Sequence, residues 1–102
     1  MADLKVSGLM KVKSLKANFK EAYGCTLRVY HGVGFADDDK TLAAIRSKDA
    51  KGKGEFSATA AMLVGNFEKR FKDEFGIKVQ VANKDNTALS DDKDTLSAAG
   101  KK

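Results

Sequence analysis

An eleven-residue pattern occurs twice in this chain, and the repetition constrains the fold more than any single residue does. Positions 19–29 read FKEAYGCTLRV, and positions 71–81 read FKDEFGIKVQV, 52 positions later (71 − 19 = 52). The same offset relates Met10 to Met62, and an offset of 54 relates Thr41-Leu42 to Thr95-Leu96. Similarity at a fixed spacing indicates two copies of one structural unit.

The length of 102 residues is typical of a single domain. One copy alone, at about fifty residues, would bury too little of its surface to be very stable. We therefore expect one domain over residues 1–102, in which two repeats (about 9–47 and 61–100) share a core. The Gly- and Lys-rich segment 47–54 is expected to join them, and residues 1–8 are expected to form a loose arm.

Each repeat reads as a strand, a helix, a second strand, an optional short strand and a second helix. In the first repeat, residues 10–13 alternate apolar and charged side chains, which predicts a strand, and Ser14 is a typical N-cap for the next helix. Gly24 is expected to end that helix in a left-handed conformation, and the alternation in residues 25–30 predicts a strand. The predicted fold class is α+β, with two tandem β-α-β-(β)-α repeats related by a pseudo-two-fold axis.

The second repeat follows the same plan. Residues 61–64 predict a strand, Asn66 an N-cap and Gly76 the end of the helix. The acidic clusters at 37–39 and 91–94 are expected to cap the short last helix of each repeat. The side chains expected in the shared core are Leu15, Phe19, Cys25, Leu27, Val29, Phe67, Phe71, Ile77, Val79 and Val81.

The first predicted strand differs between the two repeats. Lys11 and Lys13 correspond to Leu63 and Gly65, so this strand is amphipathic in one repeat and apolar on both faces in the other. Because strands buried on both faces read as continuous apolar runs, strand 61–64 is expected to be central in a shared sheet. The alternative is that Leu63 faces a partner subunit.

Positive charge is concentrated at the start of the chain. The net charge is +5, and residues 1–35 carry six Lys or Arg against two acids, which is a balance of +4. Such asymmetry can indicate an anionic partner, although ordinary solubility charge produces the same pattern.

Six residues are candidate contacts for an anion or a nucleic acid. An arginine and an aromatic on an exposed strand face can contact phosphate and stack a base. The alternative is an amphipathic shell, in which long side chains cover the edges of the core. No helix-turn-helix, zinc-finger or RNP signature accompanies these residues, which are Lys11, Lys13, Lys16, Lys20, Arg28 and Tyr30.

The sequence offers no common catalytic or metal-binding set. Cys25 and His31 are the single residues of their kinds, and on an extended strand they would lie about 20 Å apart, too far for a thiol–imidazole pair. Cys25 also occupies the position of Ile77 in the other repeat, which favours a buried apolar role. One cysteine and one histidine cannot complete a structural zinc site, and the acidic clusters lack the ligand spacing of a calcium loop. We expect no catalytic residues, no metal and no cofactor.

These features favour a small non-catalytic protein that binds or assembles through protein–protein contacts, with Leu63 as the candidate interface. The alternative is a nucleic-acid-binding module that uses an N-terminal basic surface, and a hydrolase built from scattered acids is a third reading. The sequence has no apolar run of membrane-spanning length and no signal-peptide stretch. Because one cysteine cannot form an internal disulfide, a cytoplasmic location is expected.

Overall fold

The chain adopts an α+β fold with two β-sheets and four helices in the part that the computed structural model describes, residues 3–32, 34–48, 50, 52 and 54–101. The elements are, in chain order, β1 Leu4–Ser7, α1 Val12–Tyr23, β2 Thr26–His31, β3 Gly34–Phe35, α2 Leu42–Ile45, β4 Glu55–Ala58, α3 Val64–Phe75, β5 Val79–Ala82 and α4 Leu96–Ala99. None of the helices in these ranges is long and apolar enough to cross a lipid bilayer.

Strands from the two halves of the chain pair with each other in both sheets. β1 pairs with β4, and β2 lies between β3 and β5, with every pair antiparallel. In the first sheet Lys5 is opposite Ser57, and in the second Arg28 is opposite Gln80. Because neither half forms a sheet of more than two strands without the other, the two halves depend on one another for their pairing.

Both sheets turn one apolar face toward the interior. Alternation along β2 buries Leu27 and Val29, and alternation along β5 buries Val79 and Val81. α1 and α3 each contact both sheets and present a single buried stripe. The ten predicted core side chains are all buried, which confirms that part of the prediction.

Aromatic rings fill much of this core. Phe19 of α1 contacts Phe67 of α3, with ring centroids 5.2 Å apart. Phe56 of β4 packs against Phe67, Phe71 and Phe75, with centroid separations of 5.8 to 6.5 Å. Phe56 thus joins β4 to the long helix of its own half, and Phe67 extends the contact to the helix of the other half.

Both long helices end at a glycine in the left-handed conformation, as the sequence predicts. Gly24 has φ 83° and Gly76 has φ 66°. The amide of Gly24 donates to the Lys20 carbonyl, and that of Gly76 to the Lys72 carbonyl. Residues with a side chain are strained at such φ values, so glycine is the favoured residue at both ends.

The strand predicted at residues 10–13 is wrong. Lys11 is an extended N-cap with a single antiparallel bridge to Thr41, and α1 begins at Val12. Ser14 therefore lies inside the helix rather than at its N-cap. Val12 is two positions after Met10, as in a strand, and three positions before Leu15, as in a helix, so the pattern could not distinguish a strand from the first helical turn.

The strand predicted at residues 61–64 is also wrong, because a short continuous apolar run fits a helix start as well as a buried strand. Residues 61 and 62 form a turn, Leu63 is the extended N-cap, and α3 begins at Val64, so Asn66 lies inside the helix. Leu63 is not in the middle of a sheet; it makes one backbone bridge to Thr95, and 38% of its surface is exposed.

The segments that precede these turns are the strands that the sequence prediction missed. Residues 4–7, predicted as part of a loose arm, form β1, and residues 55–58, outside both predicted repeats, form β4. Each is a four-residue alternation that buries two side chains, and each depends on the other for pairing. Such short strands are stable only with a partner, and here the partner is about fifty residues away in sequence.

Threonine, not aspartate, caps the short helices. Thr41 Oγ1 accepts from the Ala44 amide at 3.1 Å, and Thr95 Oγ1 accepts from the Ala98 amide at 3.1 Å. The predicted aspartate caps are therefore wrong: Asp37 accepts from the Asp39 amide at 2.9 Å and closes the turn before α2. A carboxylate close to a helix start in sequence thus belongs to the preceding turn.

Parts of two predicted loops lie outside the described residues. These are Val33, which the sequence places between Gly32 and Gly34, and positions 49, 51 and 53 of the predicted joining loop. The described Gly52 amide donates to the Asp73 carbonyl at 2.9 Å, so the joining segment contacts α3.

Replacing Gly76 by alanine should destabilise the protein by about 1–3 kcal/mol, because a Cβ at this φ is strained and would also collide with Ser47. Gly34→Ala is the matched control, because φ of Gly34 is not in the strained range and its added Cβ meets no atom within 4 Å. Chemical denaturation of both variants measures the difference. Equal stability of the two variants would contradict the left-handed helix end.

Candidate functional site

α1 and α3 contact the three-stranded sheet, whose odd-numbered strand residues are buried in the core, and we call the residues on the opposite face of this sheet the open face. Residues of even number in β2 and β5 point to this side, because their odd-numbered neighbours are buried in the core. The members of the open face are Thr26, Arg28, Tyr30, Phe35, Lys78, which immediately precedes β5, and Gln80, whereas Ala82 at the end of β5 is buried.

An aromatic pair lies at one side of the open face. Tyr30 and Phe35 are directly opposite on β2 and β3, and their rings stack with centroids 5.1 Å apart and an interplanar angle of 22°. Phe35 is 70% exposed, which is unusual for a phenylalanine in a well-formed sheet. A flat apolar surface is therefore presented to solvent beside a polar strand.

A cation and an amide fix the tyrosine of this pair. Lys78 Nζ lies 5.6 Å from the centroid of the Tyr30 ring, and the Tyr30 hydroxyl donates to Gln80 Oε1 at 2.7 Å. The ring quadrupole attracts a cation placed over its face. These two contacts restrict the orientation of Tyr30 and leave the exposed Phe35 as the accessible ring.

Arg28 lies at the middle of the open face, opposite Gln80. Its Nε donates to Asn86 Oδ1 at 2.7 Å, and its Nη2 donates to the Asn86 carbonyl at 3.3 Å. Asn86 has a φ of 58°, so the turn that carries it is held in a conformation that few non-glycine residues adopt. The guanidinium is thus held in place by neutral acceptors, which do not cancel its charge.

The charged residues in the strands of the open face are all basic. None of the strands β2, β3 and β5 contains an acidic residue. Within the described part of the chain, Arg28 and Lys78 have no carboxylate oxygen within 4 Å of their charged nitrogens. The face therefore combines stacked rings with two cations that make no direct ion pair with a described carboxylate, while Glu68 interacts with Lys78 at longer range.

The predicted basic residues do not converge on one surface. Lys13 Nζ lies 3.3 Å from Asp39, and Lys16 Nζ lies 2.9 Å from Asp38, so the acidic turn before α2 offsets their charge. Lys11 is exposed at the start of α1. Arg28 and Tyr30 lie on the open face, and the N-terminal lysines do not.

Lys20 lies at the far end of α1, near the side of the open face remote from the aromatic pair. Its Nζ donates to the Lys84 carbonyl and to Thr26 Oγ1, the latter at 3.4 Å. Lys20 is therefore held at the edge of the face by hydrogen bonds to neutral oxygens. Of the four predicted lysines, it is the one that borders the open face.

A concave site adjoins the aromatic end of the open face, and we call it the basic cleft. Its volume is about 430 Å³, and its walls come from the end of β2, from α2 and from the end of α3. The described residues that line it are Tyr30, His31, Gly32, Ala44, Ile45, Arg46, Ser47, Lys72, Gly76, Ile77 and Lys78, none of which is acidic.

Arg46 is the most firmly held cation of the basic cleft. Its Nε donates to the Glu74 carbonyl at 3.0 Å, and its Nη2 donates to the Gly52 carbonyl. Lys72 Nζ lies 3.4 Å from the Gly76 carbonyl, whereas His31 is exposed at the end of β2. The cleft thus has one arginine anchored by two backbone carbonyls, with Lys72, Lys78 and His31 around the same space.

Glu68 caps the outer edge of β5. Its Oε2 accepts from the Val81 amide at 3.0 Å. Burial raises the pKa of this carboxyl, and the hydrogen bond from Val81 opposes the rise. The contact occupies a backbone donor that an edge strand would otherwise offer to another chain.

Cys25 and His31 do not form a reactive pair. Cys25 is buried, and its Sγ lies 3.8 Å from the Leu96 carbonyl, whereas His31 is exposed. Burial raises the pKa of the Cys25 thiol to about 11. Because the thiolate is the nucleophilic form, this thiol is unreactive near neutral pH.

Cys25 in the native protein should react with an aromatic disulfide reagent at pH 8 roughly a hundredfold more slowly than in denaturant, because both its access and its thiolate fraction are reduced. Absorbance of the released thiol measures the two rates. Comparable rates would show that Cys25 is not a core residue.

The sequence prediction missed most of the cleft and half of the aromatic pair. Phe35, Arg46, Lys72 and Lys78 were not among the candidate site residues. A signal for Lys78 was present in the alternation of residues 77–81, but its proximity to Tyr30 depends on the pairing of β2 with β5.

No cluster of three or more metal-ligating side chains occurs in the ranges that the structure describes. Comparison of the chain with protein-family models, with curated proteins and with solved structures gives no match.

Proposed function

We propose that this protein is a non-catalytic binding module that holds single-stranded nucleic acid on its open face. The observation that supports this most is the stacked pair of Tyr30 and Phe35 beside Lys78, on a sheet face whose strands have no acidic residue. Sheets that bind single strands stack bases on exposed aromatic rings and contact the backbone with basic side chains.

The charge distribution supports an anionic partner at this location rather than at the N-terminal lysines. Arg28 and Lys78 are not paired with described carboxylates, whereas Lys13 and Lys16 are paired with Asp39 and Asp38. Exposed ion pairs are weak, yet they reduce the local potential that an approaching phosphate experiences. A phosphate backbone should therefore bind more favourably to the open face than to the surface of α1.

A protein partner is the second candidate function, and exposed apolar residues favour it. Phe35 is 70% exposed, and Leu89, which bridges to Ala82 at the other side of the same sheet, is 52% exposed. Leu63, the interface residue expected from the sequence, is 38% exposed and lies apart from the open face, before α3. A protein that covered the open face would bury both flanking residues.

We also propose that the two halves are tandem repeats around a pseudo-two-fold axis. In each sheet one of the two inner antiparallel pairs joins residues 52 apart, Lys5 with Ser57 and Arg28 with Gln80, as expected for counterparts on a two-fold axis. Equivalent backbone hydrogen bonds support the same relation: Leu42 donates to Met10, and Leu96 donates to Met62, each at 2.9 Å.

The repeat proposal predicts that residues 4–31 superpose on residues 56–83 in an experimentally determined structure, with β1 equivalent to β4 and α1 to α3. The junctions between helix α1 and Lys40, and between α3 and Asp94, should keep their equivalent hydrogen bonds. A crystal structure with different strand order in the two halves would contradict it.

Binding of a short, labelled single-stranded oligonucleotide, followed by fluorescence anisotropy, tests the functional proposal. Affinity should fall as salt rises, with a logarithmic slope of roughly −0.7 for each phosphate contact. Phe35→Ala should cost about 1–3 kcal/mol of binding free energy through lost stacking. Arg28→Gln should weaken binding and reduce the salt slope.

Lys13→Gln is the control for these variants, because it removes the same charge as Arg28→Gln from a lysine that is paired with Asp39. It should change affinity little. If it weakens binding as much as Arg28→Gln, the N-terminal basic surface is the site. If no oligonucleotide binds and Phe35→Ala instead dissociates an oligomer in light scattering, the protein-partner function replaces this one.

A further inference from the structure

The basic cleft has the size and lining of a small-ligand site. Its volume of about 430 Å³ lies within the range of roughly 300–1,000 Å³ for such sites. Apolar walls come from Ala44, Ile45 and Ile77, and polar groups come from Ser47 and the four basic residues. The cleft therefore combines apolar side chains, which exclude water, with hydrogen-bond donors that point into the same space.

The basic residues of the cleft are not required by the scaffold. With the sequence offsets of 52 and 54, His31 corresponds to Asn83, Arg46 to Gly100, and Lys78 to Thr26. Only Lys72 has a basic counterpart, Lys20. If the halves are repeats, His31, Arg46 and Lys78 distinguish this end of the protein from the equivalent end, and Arg46 also ties Gly52 to the end of α3.

The described carboxylates near these charges do not form direct ion pairs with Lys72 or Lys78, although Glu68 interacts electrostatically with Lys78 from the neighbouring surface of α3. Lys72 and Lys78 have no carboxylate oxygen within 4 Å, and Arg46 is held by the carbonyls of Glu74 and Gly52. Bringing like charges together costs free energy, and a bound anion offsets that cost. The arrangement is pre-formed for an anion, because its arginine is already oriented by two acceptors.

We propose that the basic cleft binds a phosphate monoester, the terminal phosphate of a strand whose end nucleotide stacks on Phe35. A phosphate monoester carries about −1.5 to −2 charges at neutral pH, which matches a cluster of several cations better than the single charge of an internal phosphodiester. The proposal rests on the proposed function, and the same chemistry also describes a small phosphorylated molecule.

Proximity links the cleft to the open face. Tyr30 lines the cleft and stacks on Phe35, and Lys78 lines the cleft and lies over the Tyr30 ring. A phosphate in the cleft would therefore lie next to the aromatic pair. One nucleotide could then place its phosphate in the cleft and its base on the aromatic pair. The remaining strand would continue along the open face toward Arg28.

The test compares one single-stranded oligonucleotide with a 5′-phosphate, with a 3′-phosphate and with neither, at fixed salt. One phosphorylated form should bind roughly tenfold or more tightly than the unphosphorylated strand, because charge-assisted hydrogen bonds are added. Inorganic phosphate and a nucleoside monophosphate, titrated separately and followed by amide chemical shifts at His31 and Lys72, report on small-molecule sources.

The double variant His31→Asn, Lys72→Gln should bring the ratio of phosphorylated to unphosphorylated affinities close to one. Lys69→Gln is the matched control: Lys69 is exposed on the same helix and does not line the cleft, so the ratio should persist. Circular dichroism verifies that each variant is folded.

The outcomes separate this inference from the proposed function. If all three oligonucleotides bind equally and the double variant changes nothing, the cleft is not a phosphate site, although the open face still binds nucleic acid. If no oligonucleotide binds but the nucleoside monophosphate or inorganic phosphate shifts the cleft amides, the proposed function fails and the cleft serves a free phosphorylated molecule. Absence of both kinds of binding overturns the inference.

Discussion

The antiparallel pairing of β2 with β5 is the constraint on which the rest of this structure depends. It joins residues about fifty positions apart and turns Leu27, Val29, Val79 and Val81 into one apolar face. Because side chains alternate along a strand, burying these four necessarily presents the residues between them to solvent. The core and the open face are therefore two consequences of a single register, and a slip of one residue would exchange them.

Electrostatics then decides which surface is available to an anion. The N-terminal half carries most of the excess positive charge in sequence, but the turn with Asp38 and Asp39 folds back against α1 and pairs with Lys13 and Lys16. Around the second sheet, the acceptors for Arg28 and Lys20 are an amide, a hydroxyl and carbonyls. Arg28 and Lys20 are therefore held beside the second sheet by neutral groups, whereas Lys13 and Lys16 are paired with carboxylates.

Residue patterns predicted the elements that are set by local periodicity. The left-handed ends at Gly24 and Gly76, strand β2 and the buried Cys25 followed from the repeated pattern, because a helix end and an alternation are local signals. The starts of α1 and α3 were mispredicted. There the extended residue before each helix is held by a backbone bridge to Thr41 or Thr95, which no side-chain pattern indicates.

The features that the sequence did not predict, which are β1, β4 and the grouping of the site residues, depend on pairing between distant segments. β1 and β4 are short and stabilise each other across the length of the chain, so neither is recognisable alone. The candidate site needs the same long-range information, since Tyr30 meets Lys78 only through the β2–β5 register and Arg46 reaches the cleft from α2. The residue types of the site were visible in the sequence, whereas their grouping was a property of the fold.

The most direct test of the account is a chemical-shift titration of the isotope-labelled protein with a single-stranded oligonucleotide. The account predicts that amide shifts concentrate at Arg28, Tyr30, Phe35 and Lys78, while Lys5 and Ser57 in the other sheet remain unchanged. Shifts centred on the start of α1 or on Leu63, with none on β2, β3 and β5, would contradict it.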